Sequence, residues 1–195
     1  MPTALLAYYA LLMTLVFAWP TWRLWRRERV NALVLPDDDS PEAVIGVWFK
    51  RLIAAAGIVL IVSASGVPQR TIGELPWFDA APLRVVGWTS LAGSMAWMAV
   101  AQAQMGLAWR IGIDRANTPM LMRGGLFGWS RNPIFLGLRL NLAGFFMLLP
   151  NAFTFALLLA GEALIQVQVR LEEQHLARVF GSAYREYRRE VPRWI

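Results

Sequence analysis

Gly125-Leu126-Phe127-Gly128-Trp129-Ser130-Arg131-Asn132-Pro133-Ile134-Phe135-Leu136-Gly137 is a basic, glycine-rich loop that passes directly into an apolar run. Asn before Pro before a hydrophobic stretch predicts a helix start. Asn132 has the side chain to cap free backbone amides, and Pro133 needs no amide partner at the first helical position. A helix N-terminus beside Arg131, with Gly125 and Gly137 leaving room for close approach, suits an anionic ligand where water meets membrane.

The run that follows, residues 134–149, predicts one membrane span, Pro150-Asn151 a tight turn, and residues 152–169 a second span running back. Both are short against the roughly 20 residues that cross a bilayer. The hairpin carries two charges where lipid disfavours them, Arg139 and Glu162. Taking the turn centre between Pro150 and Asn151, both lie equally far from it, so antiparallel helices bring them to one depth. A charge in a span costs about 2.5–3.5 kcal/mol on insertion scales, so the two are expected to pair, and they are candidate catalytic or pocket-lining residues.

Composition extends the membrane reading to the whole chain. Hydrophobic residues make up 57% and charged ones 16%, with a mean hydropathy of +0.43. There is no cysteine, which removes disulfides and thiolate chemistry, and the single histidine, His175, has no partner histidine for a metal site. No metal is expected. The net charge of +6 sits at the ends of apolar runs rather than on one soluble face, which points to membrane topology and not to nucleic acid.

Three further spans are predicted upstream: about 4–22, 44–67 with Ser40-Pro41-Glu42 as its cap, and 83–105, where Ala92, Ala96, Ala99 and Ala103 recur at the spacing that lets helices approach. Gln102 and Gln104 end the third. Asp37-Asp38-Asp39 reads as a solvated loop. Trp109, Ile111 and Ile113 alternate with Arg110, Gly112 and Asp114, which predicts a short extended segment. With these boundaries, sixteen Lys and Arg fall in the proposed cytoplasmic segments against two, Arg70 and Arg84, on the other side. That asymmetry places the N-terminus outside and the C-terminus in the cytoplasm; a bacterial inner membrane is the expected location. The expected fold is all-α: one domain over residues 1–195, five transmembrane helices, and cytoplasmic segments 106–133 and 170–195.

From Arg170 the chain is polar and helical, stops at Gly181 and resumes in a short helix with Tyr184 and Tyr187 that Pro192 ends. Glu172 and Glu173 emerge about one turn beyond the span. Alone they would be solvated charges; beside a basic helix N-terminus they become candidate ligands.

Here the sequence resembles a family. Gly-x-Phe-x-x-x-Arg-Asn-Pro-x-Phe-x-Gly over residues 125–137, followed by Arg-x-Glu-Glu-x-x-Leu-x-x-x-Phe-Gly-x-x-Tyr-x-x-Tyr-x-x-x-Val-Pro-Arg over 170–193, is similar to the isoprenylcysteine carboxyl methyltransferase and phospholipid N-methyltransferase superfamily of integral membrane enzymes. The likeness covers roughly residues 104–195. It implies S-adenosyl-L-methionine as cofactor, held by Gly125, Phe127, Arg131, Asn132, Pro133, Phe135, Gly137, Glu172, Glu173, Tyr184 and Tyr187. It also implies methyl transfer to a lipophilic acceptor that is a carboxylate, a thiol or a lipid headgroup amine. Asn132 stands where the family often has His, so a proton-transfer role there is lost although the position stays a candidate catalytic residue. Phe127 and Phe135 stand where Tyr is frequent, keeping ring faces without hydroxyls.

The cofactor's chemistry suggests a division of labour. Arg131 and the first amides of the helix suit its carboxylate, the two glutamates its ammonium or ribose hydroxyls, and the aromatic rings its adenine or sulfonium. Two other readings compete: an NADPH-dependent reductase of the sterol type, and a non-catalytic scaffold. The methyl acceptor and the oligomeric state are not encoded in any motif.

Overall fold

The computed structural model describes residues 1–29, 38–106 and 120–195. Asp37 and the alternating segment around Trp109 and Ile113 lie outside the described residues. What is described is helical, with no strand among these residues. Helix α1 (Pro2–Leu12) continues through a π-helical stretch (Met13–Ala18) into α2 (Trp19–Glu28). Then come α3 (Pro41–Ala64), α4 (Ala81–Met105), α5 (Pro133–Leu148), α6 (Ala152–Phe180) and α7 (Ser182–Glu190).

Among the described residues, three helical stretches are long and apolar enough to cross a membrane: Pro2–Arg26, Pro41–Ala64 and Ala152–Phe180. That is fewer than the five expected. Helix α5 is apolar but has only 16 residues. Helix α4 has 25 residues, with Arg84, Thr89, Ser90, Ser94, Gln102 and Gln104 diluting its hydropathy. These two short or polar helices make the closest pair in the molecule, each using the other as its apolar surroundings.

The first helix passes through Pro20, which widens it instead of ending it. Proline offers no N–H to the carbonyl four residues back, which is Val16. The backbone loosens into the π-helical stretch, and Gln102 Nε2 of α4 donates to the Val16 carbonyl at 2.5 Å. A buried amide thus fills a vacancy made by a proline and ties α1 to α4.

Helices α4 and α5 approach through glycine, not alanine. A Cβ at Gly144 would come within 2.8 Å of Leu91 and 3.1 Å of the Gly87 carbonyl. The face of α4 that packs carries Gly87, Leu91, Ser94, Met98, Ala101 and Gln102. Ala92, Ala96, Ala99 and Ala103 are exposed, so the expectation that they form the contact is corrected. Both stripes have helical spacing; the buried one wins because it also supplies large apolar side chains and buried polar partners. One such set joins three helices. Tyr8 OH donates to the Leu91 carbonyl at 2.8 Å, while Asn141 Nδ2 donates to Tyr8 OH at 2.5 Å and to Ser94 Oγ at 3.0 Å. Around it lie Leu5, Leu12, Val16, Leu60, Met98 and Leu148.

At the end of the bundle away from the glycine-rich loop, two connections close on each other. Leu75 N donates to the Pro150 carbonyl and Ala152 N to the Gly73 carbonyl, at 2.9 and 2.8 Å. Gly73, at φ +72°, has no room for a Cβ, which would reach 2.8 Å from that of Ala152. The turn at Pro150-Asn151 starts α6 with a reciprocal cap: Asn151 Oδ1 accepts from Thr154 N, and Thr154 Oγ1 accepts from Asn151 N. Ser40 caps α3 as expected, its hydroxyl accepting from Ala43 N.

Candidate functional site

The two stretches singled out in the sequence meet. Helix α6 runs through residues 170–180 to Gly181, which adopts φ +53°; α7 then turns back, and residues 191–194 return across the start of α5. This return strap is fixed by backbone bonds. Arg131 N donates to the Pro192 carbonyl at 3.0 Å and Ser130 Oγ to the Arg193 carbonyl at 3.0 Å.

Glu173 is the centre of the cluster. Its carboxylate accepts from Arg131 Nη2 at 3.0 Å, Asn132 Nδ2 at 3.2 Å, and Arg193 Nε and Nη2 at 3.0 and 2.8 Å. The Arg131 and Glu173 side chains are each only 7% exposed. Arg131 also gives Nη1 to the carbonyls of Val191 and Arg188. Bonding to Glu173 pushes Arg193 above its ordinary pKa. Arg193 was missed by sequence reasoning as a site residue; its basic character in a Val-Pro-Arg ending carries no sign that it folds back 20 residues to a carboxylate.

Asn132 does not cap α5 with its side chain, contrary to expectation. The amide is committed to Glu173, and the Asn132 backbone N–H is taken instead by Ser130 Oγ at 3.2 Å. Pro133 does open the helix. The Nδ2–carboxylate bond fixes which way the amide points, and in that orientation Oδ1 does not accept from the first amides of α5.

Glu172, the neighbour of Glu173, points elsewhere on the helix, about 100° around. It is half-buried; Oε1 accepts from Gln168 Nε2 at 2.8 Å, and the other oxygen has no hydrogen bond to the described residues. Tyr184 and Tyr187 are 1% and 2% exposed and stack edge to face with ring centroids 6.1 Å apart. Tyr187 OH donates to the Phe127 carbonyl at 2.6 Å, fastening α7 to the glycine-rich loop. Tyr184 OH and Arg131 Nε are buried without a well-formed hydrogen bond among the described residues, although the Arg131 guanidinium lies beside the Tyr184 phenol and partly offsets the rise that burial causes in its pKa. Burial pushes both phenols up to about 12, with the Glu173 charge adding for Tyr184 and the Tyr184 phenol adding for Tyr187.

Of the remaining predicted residues, Phe127 is buried and Phe135 half-buried. Gly125, at φ +59°, lies against the Gln104 amide, whose Oε1 accepts from Leu126 N at 2.9 Å. Gly137 faces Met98 in the α4 contact, so its role is packing. Arg123 reinforces the loop-to-α7 junction: it donates to the Ala183 carbonyl, pairs with Glu186 at 3.7 Å and lies over the Tyr187 ring.

A second charged cluster lies further along the hairpin. Arg139 Nε donates to Glu162 Oε2 at 2.7 Å, the pairing expected from the equal spacing about the turn. Glu162 Oε1 accepts from Gln166 Nε2 at 2.7 Å, and Gln166 Oε1 from Arg170 at 2.8 Å, a ladder at four-residue spacing along α6. Trp194 of the strap lies under the Arg139 guanidinium, 4.5 Å from carbon Cζ to ring centroid. Adjacent strap residues therefore connect the clusters: Arg193 to Glu173 and Trp194 to Arg139.

No family model matches this chain, and no curated protein or solved structure is similar to it.

Proposed function

We propose that this chain is an integral membrane methyltransferase that uses S-adenosyl-L-methionine and acts on a lipophilic or membrane-associated acceptor. One observation carries the proposal: residues 125–137 and 170–193, which together hold the resemblance, meet at Glu173, with Arg131 and Asn132 from one side and Arg193 from the other within 3.2 Å. The topology proposed with it has five membrane helices, α4 and α5 completing the set, and the Glu173 cluster on the cytoplasmic side. Lys and Arg counts support that orientation.

The donors and acceptors at this seam fit the cofactor in part. Arg131 and Tyr184 lie against each other, yet Nε and the phenol OH are buried without a well-formed hydrogen bond to a described residue, and one Glu172 oxygen has no donor among those residues. A carboxylate oxygen would satisfy the first two, and an ammonium or ribose hydroxyl the third. Glu173 serves the fold instead. With four donor atoms already on it, it holds the halves together and positions Arg131. The cofactor would supply a methyl carbon activated by the adjacent sulfonium. The chain would then need to orient donor and acceptor in line and exclude water. A carboxylate or thiolate acceptor asks for no base; an ammonium acceptor would give up its proton first, to Glu172. Asn132 cannot titrate and serves only as a donor.

Incubating the purified protein with methyl-labelled cofactor and a membrane lipid extract tests this. Label transferred to an extractable product supports it. Hydride transfer from NADPH with no methyl transfer would move the chain to a reductase.

A further inference from the structure

Arg139 is not held as a sealed structural ion pair. It gives Glu162 only its Nε, while Nη1 and Nη2 have no acceptor among the described residues. Glu162 is fully engaged, one oxygen with Arg139 and the other with Gln166. The guanidinium is fixed on one edge by the carboxylate and on one face by the Trp194 indole, and its terminal fork is open. The two side chains remain 31% and 36% exposed. A stabilising pair inside a membrane would be closed off, since each exposed donor there costs free energy.

The surroundings give the open fork a direction. Glu162 shares a face of α6 with Leu159 and Phe155, three and seven residues earlier, and these are 56% and 42% exposed. Toward the strap, Arg170 adds positive charge through Gln166, offsetting Glu162. Arg139 itself lies six residues into α5, roughly 9 Å along its axis from Pro133. A cationic fork at the top of an apolar seam has the layout of a site for a molecule with an anionic head and a hydrocarbon tail.

We propose that Arg139, clamped by Glu162 and Trp194, seats the carboxylate or phosphate group of a membrane-borne amphiphile whose tail runs along Leu159 and Phe155. The binding claim stands independently of methyl transfer; only the identification of this amphiphile as the acceptor rests on the function proposed above. Trp194 follows Arg193, so the strap residue that backs the guanidinium adjoins the one that holds Glu173.

The test is equilibrium binding of radiolabelled dodecanoate, dodecyl phosphate and dodecanol to the full chain in phosphatidylcholine nanodiscs, with empty nanodiscs subtracted. Both anions should saturate at one per protein and bind on the order of tenfold tighter than dodecanol, the worth of one charge-assisted contact. Acetate and inorganic phosphate at the same concentration should not displace them; displacement would mean a site for water-borne anions and overturn the amphiphile. The double variant Arg139→Gln with Glu162→Gln leaves no stranded charge and should lose the preference. Glu162→Gln alone should keep or strengthen it, because the fork stays. Equal binding of dodecanol and dodecanoate, or an undiminished preference in the double variant, would refute the proposal. Cofactor titration in the same samples separates the claims: anion preference without cofactor binding sinks only the methyltransferase reading, and cofactor binding without anion preference sinks only this one.

Discussion

Replacing Glu173 by Ala should cost this protein much of its stability. In isolation the residue reads as one of two solvated glutamates on a polar helix, and its loss would be silent. In the fold it accepts four hydrogen bonds from three side chains at 2.8 to 3.2 Å, at 6% residue exposure. Truncation strands the Arg131 guanidinium, 7% exposed, with only backbone carbonyls as partners. Breaking a buried pair from one side costs about 3–5 kcal/mol. For a chain of this size that corresponds to a fall of about 6–20 °C in the midpoint of thermal unfolding. Arg193→Ala makes the control: its side chain is 28% exposed and Glu173 keeps Arg131, so about 1 kcal/mol is expected. Thermal unfolding of the three proteins in one detergent, followed by intrinsic fluorescence, measures the order. A Glu173→Ala midpoint within about 2 °C of the parent, less than about 1 kcal/mol, would refute the staple.

Two further outcomes follow from the same contacts. Arg139→Met combined with Glu162→Leu should be better tolerated than either change alone, with a coupling of about 1 kcal/mol in a double-mutant cycle; additive losses would mean that the pair is not energetically linked. Tyr184 and Tyr187, with phenols pushed up to about 12, hold their protons in the folded state beyond the unfolded value near 10. Their contribution to stability is intact below about pH 10 and is lost as pH rises from about 10 to 12, the folded state binding the extra protons. Ultraviolet absorbance of the phenolates, assigned with the variants Tyr184→Phe and Tyr187→Phe, should show this pair titrating well above pH 10, and its ionisation near pH 10 would contradict the burial.

How much of this was legible in the sequence depends on the kind of signal. The Arg139–Glu162 pairing was legible because equal spacing about a two-residue turn fixes depth in an antiparallel hairpin. Ser40, Gly181 and Pro133 were legible because caps and stops depend on local backbone chemistry. The split between Glu172 and Glu173 was not, since neighbours on a helix diverge by about 100° and only tertiary contact decides which turns inward. Asn132 misled for a related reason: its capping propensity is local, while the direction its amide points is set by a carboxylate 41 residues away. The alanine stripe misled because small residues at helical spacing mark a possible contact face without saying which of two faces is taken. Tyr8, Ser94 and Asn141 come from three helices, and no single-helix pattern connects them.

Titration of the purified protein with S-adenosyl-L-methionine, beside a Glu172→Gln variant, tests the central claim most directly. Glu172 lies outside the Glu173 staple, so its substitution leaves the seam intact while altering an acceptor the cofactor would use. Saturable binding at one molecule per chain is expected, with weaker binding in the variant at unchanged thermal stability. Absence of saturable binding up to millimolar cofactor, or equal affinity in both proteins, would contradict it.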